Sequence, residues 1–493
     1  MNNRTTIALS LLLVICLFFD LVRGRAQEAT GLPRGPSDLQ QGIELFQNGK
    51  YPEARQALQA AAQRTPASSK SFFYLALTED RLNERALAEQ HLRRALELDP
   101  HSGSVLYDLG VLLLEEKKSR EAIPYLEKAG KTGAQTPELS INLVRAYLDE
   151  GRKAQALALA GSARRRYTSA AFNLTLGEVL LSYGLSAEAR DLLQDANRAD
   201  PGRLEIVLPL SRACLQEKDF RAAQAALSSV ERAGQNDPEF HALLAQSYVL
   251  SNDKDQALAE MGRAVALSSD NPLYLLREAR YYQKYGNQTR ALEILAKAAR
   301  LAPNLPDIPY SIAISHFIAD EYVEAARYAA EAVHLAPADD RAIFLQGISL
   351  FAMLDKRAEA LLLQAIHLKP RNPFYQCFEG MLLATEDRIS EAEQRLRIAL
   401  DLYPSYALAH YQLGRLLERE RKYPEARVHL EKAVALGPEL TEAYFVLAHV
   451  YMRVGEKDKA QQAMATFKSH RAEEFSERQE ILRRAAGAFE STP

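Results

Sequence analysis

The chain is 493 residues long, with 47% hydrophobic and 25% charged residues and a formal net charge of −3. This balance excludes both a disordered chain and a membrane-embedded one, and it lacks the positive excess that a global nucleic-acid or anionic-lipid binder carries. The length suits several ordinary domains or one long repeat array.

Arg4 precedes a mostly apolar run over residues 7–22, and Gly24-Arg25-Ala26 stands ahead of Gln27. Small residues at −3 and −1 predict a secretory signal peptide over residues 1–26, cleaved after Ala26, and hence a periplasmic or secreted protein. The run is short for a membrane span and contains Asp20, so no integral span is expected after signal removal. An uncleaved signal kept as an anchor is the alternative. Cleavage removes Cys16 and leaves Cys214 and Cys377, which at 163 residues apart read as buried small hydrophobes rather than a disulfide framework.

Residues 27–36 hold Gly31, Pro33, Gly35 and Pro36, a linker composition. From residue 35 a fixed period then runs to residue 474. Thirteen units begin at residues 35, 69, 103, 137, 170, 204, 238, 272, 306, 340, 373, 407 and 441; eleven span 34 residues and two span 33. The twentieth position is alanine in all thirteen, from Ala54 and Ala88 to Ala426 and Ala460. The eighth is Gly or Ala in eleven, the exceptions being Val144 and Ser211, and the twenty-seventh is Ala in all but Val230 and Phe467. Eight units carry proline at position 32. Within each unit apolar residues recur three and four apart in two runs, which predicts two amphipathic helices. Small residues at positions 8 and 20 let those helices touch, and leucines such as Leu75, Leu109, Leu143, Leu176 and Leu210 fill the space beside them.

On these residues the chain resembles a tetratricopeptide repeat (TPR) array from residue 35 to 474. The resemblance implies an all-α fold, a right-handed superhelical solenoid of antiparallel helix hairpins. The array is expected over 37–470, with a charged capping helix and tail over 471–493. Departures from the family are the lack of any tryptophan and the prolines Pro124 and Pro209, which fall inside predicted helices and should kink them.

Nothing in the chain nominates an enzyme. No GxxxxGK, HExxH, Cys-x-x-Cys or nucleophile-elbow motif occurs. The ten histidines are scattered, and His410, His429 and His449 fall on different predicted helices without ligand spacing. No cofactor or metal is expected.

Function in such a fold is expected in a concave groove, which the resemblance lines with positions 2, 5, 9 and 12 of each first helix. In repeats four to eight position 9 is polar: Arg145, Glu178, Arg212, Gln246 and Arg280. Arg145, Arg212 and Arg280 could hold carboxylates of an extended acidic segment, or could pair in solvent with Glu178, Glu205 and Glu239. In repeats nine to eleven the groove positions are Tyr310, Ile314, Phe317, then Phe344, Ile348, Phe351, then Phe374, Cys377 and Met381. Exposed together they would form an apolar strip of the kind that marks a binding site; buried, they would be core. The family's asparagine signatures for chaperone tails and for glycosyltransferase repeats are absent, only Asn142 matching the latter. The expected function is a non-enzymatic scaffold that binds an extended peptide or partner protein, with no nucleic acid. A structural part of an envelope secretion or polysaccharide-export assembly, with partners in that complex, is the alternative.

Overall fold

The computed structural model describes residues 37–133 and 135–472, and every regular element among them is a helix. The signal, the linker apart from its boundary with Ser37, and the tail beyond Ala472 lie outside the described residues. Two compact units divide the chain, one up to Ala213 and one from Cys214 onward.

The first unit is a run of helix hairpins that opens with Asp38–Gln47 and Tyr51–Arg64, then Ser69–Arg81 and Arg85–Leu98, Gly103–Glu115 and Ser119–Lys131, Pro137–Asp149 and Lys153–Arg166, and Ala170–Ser182 and Ser186–Ala199. The division falls within Leu204–Gln216. The second unit continues the pattern in seven further hairpins whose first helices start at Pro238, Pro272, Asp307, Asp340, Pro373, Ala407 and Thr441. Within each unit sequential helices pack antiparallel, as short connections require.

Local chemistry sets both ends of the first helices. Ser68, Thr136, Ser169, Asp237, Asn271, Asp339 and Asn372 each accept a hydrogen bond from a backbone N–H two or three residues on, and prolines at 137, 238, 272 and 373 occupy the first turn. At the other end position 15 takes the left-handed conformation in all thirteen repeats, from Gly49 at φ 74° to Gly455 at φ 86°. The N–H of position 16 then reaches back to the carbonyl of position 11 in every repeat, at 2.7–3.0 Å. This is the Schellman closure, and it turns the chain into the second helix.

The small positions do what close approach demands. Twelve of the thirteen position-20 alanines are completely buried, and Ala460 nearly so. Position 27 breaks the pattern in repeat six, and so does the helix: with Val230 there, the second helix is split into Phe220–Ser228 and Glu231–Gly234. Pro124 lies within the continuous helix Ser119–Lys131, where it removes one backbone donor.

Among the ion pairs that join neighbouring repeats, one kind recurs, from position 21 to position 16 of the next. These pairs are Arg55–Glu84 at 2.9 Å and Glu89–Lys118 at 3.0 Å in the first unit. In the second unit they are Glu359–Arg388 at 2.5 Å, Glu393–Lys422 at 3.4 Å and Arg427–Glu456 at 2.5 Å. Half-buried at the surface and reached by solvent, each is worth about 1 kcal/mol or less, so they tune register rather than hold the array together.

Candidate functional site

The face made by the first helices is polar in the first unit. Arg145 is exposed with no carboxylate within ion-pair distance among the described residues. Around it Asn142 Nδ2 donates to Tyr107 Oη at 3.1 Å, Tyr183 Oη donates to Asp149, and Ser119 Oγ donates to the other Asp149 oxygen at 2.6 Å. Burial, reinforced by the nearby charge of Asp80, pushes the Asp108 carboxyl up to about 6. Arg212 is half-buried.

Arg280, in the second unit, is already engaged. Its Nη2 donates to Asp307 Oδ1 at 2.9 Å, and Arg341 approaches the same oxygen at 3.5 Å. Arg341 in turn grips Asp339 through two bonds of 3.1 and 2.8 Å and lies 4.9 Å over the Tyr310 ring. Beside this chain Gln283 Nε2 donates to the Ser311 carbonyl at 2.6 Å and to Ser315 Oγ at 2.7 Å. These charges stitch repeats eight, nine and ten to one another and already pair Arg280 with Asp307.

The expectation of a contiguous exposed strip in repeats nine to eleven needs correction. Tyr310, Phe317, Phe344, Ile348 and Cys377 are all buried. The reason is the next repeat: its first helix closes over position 5, so that Tyr375 lies tilted against Phe344 at 4.4 Å between ring centroids and Phe378 meets it edge-on at 5.4 Å. Tyr375 Oη also donates to Asp340 at 2.5 Å, fixing that lid. Phe317 is covered by Tyr322 at 5.6 Å. Burial pushes the Cys377 thiol up to about 12, so it is an inert core residue. Ile314, Phe351, Phe374 and Met381 behave differently. They rest on the same core but remain half-exposed. Further along, Phe445 and Met452 of the last repeat are exposed, with His449 stacked on Phe445 at 5.5 Å.

Sequence reasoning missed a polar link across the hairpins, from position 4 to position 23. His241 Nδ1 meets Glu260 Oε2 at 2.6 Å, Arg395 Nη1 donates to Gln376 Oε1 at 3.1 Å, and the Nδ1 atoms of His410 and His429 lie 2.9 Å apart. The position-4 side chain also bonds the carbonyl at position 32 of the preceding repeat: Gln235, Pro370 and Pro404, each at 3.0 Å. These polar side chains fill the site that an aromatic residue takes in the family. The signal was present in the nineteen-residue spacing of His410 from His429 and of His241 from Glu260.

Among the described residues no group of three or more His, Cys, Asp or Glu side chains is arranged to hold a metal ion, and no helix is long and apolar enough to cross a membrane.

Family models described as tetratricopeptide repeat match residues 39–102, 75–135, 141–203 and 379–441, residues 180–247, and residues 441–466. The chain is similar to the TPR repeat-containing protein YpiA of Bacillus subtilis (strain 168), 24% identical over 210 residues that cover 42% of this chain and 49% of that protein. It is similar also to Peroxisome biogenesis protein 5 of Arabidopsis thaliana, 32% identical over 91 residues, 18% of this chain and 12% of the relative. The matched region thus spans half or less of the length of these curated relatives. Among solved structures, the APC/C hetero-tetramer Cut9-Hcn1 aligns at 13% identity and a TM-score of 0.46 over 84% of this chain and 96% of that one. Yeast Tom70 aligns at 17% identity and 0.41 over 91% and 94%. With repeat models matching helix hairpins in both units and together covering more than half of its residues, the chain belongs to the tetratricopeptide repeat proteins.

Proposed function

We propose that the chain is a protein-binding scaffold that receives an extended segment of a partner protein along the first-helix face of the second unit. The observation that carries this reading is the set Ile314, Phe351, Phe374 and Met381, four apolar side chains half-exposed in three consecutive repeats. Because each rests on buried core, its rotamer is held before a partner arrives, which lowers the ordering cost of binding. Phe445 and Met452 extend the apolar series into the last repeat. In the first unit, taken by itself, Arg145 is exposed with no carboxylate within ion-pair distance among the described residues, and is a separate candidate to take an acidic side chain.

A photo-crosslinking side chain placed at Phe351 should capture a partner that the same probe at Leu436, on a second helix, does not. The double substitution Phe351→Asp and Met381→Asp should abolish the capture while leaving helicity intact. Equal capture from both positions, or capture that survives the double substitution, would overturn the assignment.

The same reading has the chain exported, on the strength of Arg4, the apolar run over 7–22 and Gly24-Arg25-Ala26. N-terminal sequencing of the protein from its native cells is expected to begin at Gln27, and an intact Met1 in the cytoplasmic fraction would remove export from the proposal.

A further inference from the structure

Position 7 of the first helix is a buried leucine in repeats two to six, from Leu75 to Leu210, and again at Leu413 and Leu447; it is the half-buried Leu244 in repeat seven and a glutamate, Glu278, in repeat eight. In repeat eleven it is Glu379. The side chain keeps the burial of the leucine, at 1% exposed, and its Oε2 has no hydrogen-bond partner among the described residues. A carboxylate in that position is costly while charged and unpaired, but a neutral carboxylic acid is tolerated.

The surroundings give the proton somewhere to matter. Arg395 faces Glu379 from the second helix of the same repeat, Glu359 from the second helix of repeat ten, and Arg388 and Glu386 from the connection between the two helices of repeat eleven. Arg388 is committed: it donates to Glu359 at 2.5 Å, to Glu391 at 2.7 and 2.9 Å and to Glu386 at 3.3 Å. Arg395 is the cation still available, since among the described residues it has no carboxylate within ion-pair distance and instead donates to Gln376 Oε1 at 3.1 Å. Gln376 stands one helical turn before Glu379, and its Nε2 donates to the Pro370 carbonyl at 3.0 Å. The chain Arg395–Gln376–Pro370 therefore bolts the second helix of repeat eleven to the corner that ends repeat ten.

We propose that Glu379 is a proton-controlled latch: neutral, it packs as the leucine does and leaves Arg395 on Gln376, whereas ionised it draws Arg395 to itself, frees Gln376 and loosens the junction of repeats ten and eleven. The groups around it suit a transition in the neutral range, because burial pushes the carboxyl up to about 7, with Arg395 opposing the rise and Glu359 adding to it. The two histidines of repeat twelve are both held below their ordinary range, His429 at about 4. The latch stands apart from any partner, and its test needs none.

Hydrogen exchange of the full chain, corrected for intrinsic rates and compared between pH 6 and pH 8.5, reads the junction directly. Peptides within residues 371–384 are expected to lose about tenfold protection at the higher pH, the size that linkage assigns to the single pH unit between pH 6 and a transition at about 7, with no further loss above it. Glu379→Gln, nearly the same shape, should hold protection constant across the range. Glu379→Leu, which installs the leucine that eight other repeats carry there, should do the same and serves if the glutamine variant folds poorly. Unchanged protection in the native chain, or a loss that persists in both variants, would overturn the latch.

Discussion

Gly414 and Leu430 meet where the two helices of repeat twelve cross: a Cβ on Gly414 would stand 2.6 Å from the Leu430 Cγ and 2.9 Å from its Cδ2. The same pair recurs as Gly42 with Leu58, Gly110 with Leu126, Gly177 with Leu193 and Gly380 with Leu396, all under 3.0 Å. Alanine favours a helix interior over glycine by about 1 kcal/mol, yet here overpacking of about 1–3 kcal/mol opposes it. Gly414→Ala should therefore destabilise the protein by about 1 kcal/mol. Gly262, inside the helix Lys254–Leu267, has nothing within 4 Å of its Cβ position. Gly262→Ala should stabilise by up to about 1 kcal/mol. Urea midpoints of the two variants moving in the same direction would refute the close-approach account.

Leu354 occupies the left-handed position of repeat ten at φ 58° and is 78% exposed. Twelve other repeats place Gly, Asn, Asp, Lys or Arg there, and a leucine neither relieves the backbone strain nor buries its side chain. Leu354→Gly is expected to raise stability by about 1 kcal/mol through the removed Cβ clash, and thermal unfolding that stays put or falls would count against it.

The histidine pair of repeat twelve makes acid destabilising. His410 Nε2 donates to the Pro404 carbonyl, so in the neutral ring Nδ1 accepts, and His429 Nδ1 must be the donor across the 2.9 Å contact. Burial lowers both, and with His410, Arg397 and Lys432 nearby His429 falls to about 4. The unfolded imidazole titrates near about 6.5, so the folded state binds protons less readily. Stability is whole above that pH and declines as pH falls from there towards 4. His429→Gln should recover roughly 1–2 kcal/mol of the loss between pH 7 and pH 4.5, measured as the difference in urea midpoints. A variant whose acid limb matches the native one would dispose of this role.

Arg341 works by shape as much as charge. It is bidentate to Asp339 and sits 4.9 Å over the Tyr310 ring, a combination an ammonium does not reproduce. Arg341→Lys should cost about 1–2 kcal/mol. Arg290→Lys, in the exposed pair with Glu293 at 2.7 Å, should change stability by less than about 0.5 kcal/mol. Equal effects in guanidinium unfolding would show that the fork and the ring contact contribute nothing.

The candidate site was legible only in part. Position within the repeat told where Tyr310, Phe344 and Cys377 would stand on the helix, but not that the following first helix would cover them. That outcome depends on Tyr375 and Asp340, two residues whose spacing in the chain carries no signal of their hydrogen bond. Ile314, Phe351, Phe374 and Met381 rest on the same core as their buried neighbours yet stay half-exposed, a difference the apolar pattern does not mark. The left-handed turn at position 15 could have been seen, since Gly49, Gly151, Gly184, Gly286 and Gly455 fall there, but Lys117, Lys218, Leu354 and Arg421 disguise it.

What the sequence by itself determined is the repeat: small residues at positions 8, 20 and 27 state how closely helices approach, and periodicity suffices because each repeat meets mainly its neighbours. What only the tertiary structure decided is which side chains remain available. Arg280 was spent on Asp307, Phe344 was covered by Tyr375, and Glu379 was sealed in a leucine's place without a partner. Exposure and charge pairing depend on the packing of one repeat against the next, across some thirty residues of chain, and no single helix's pattern encodes that distance.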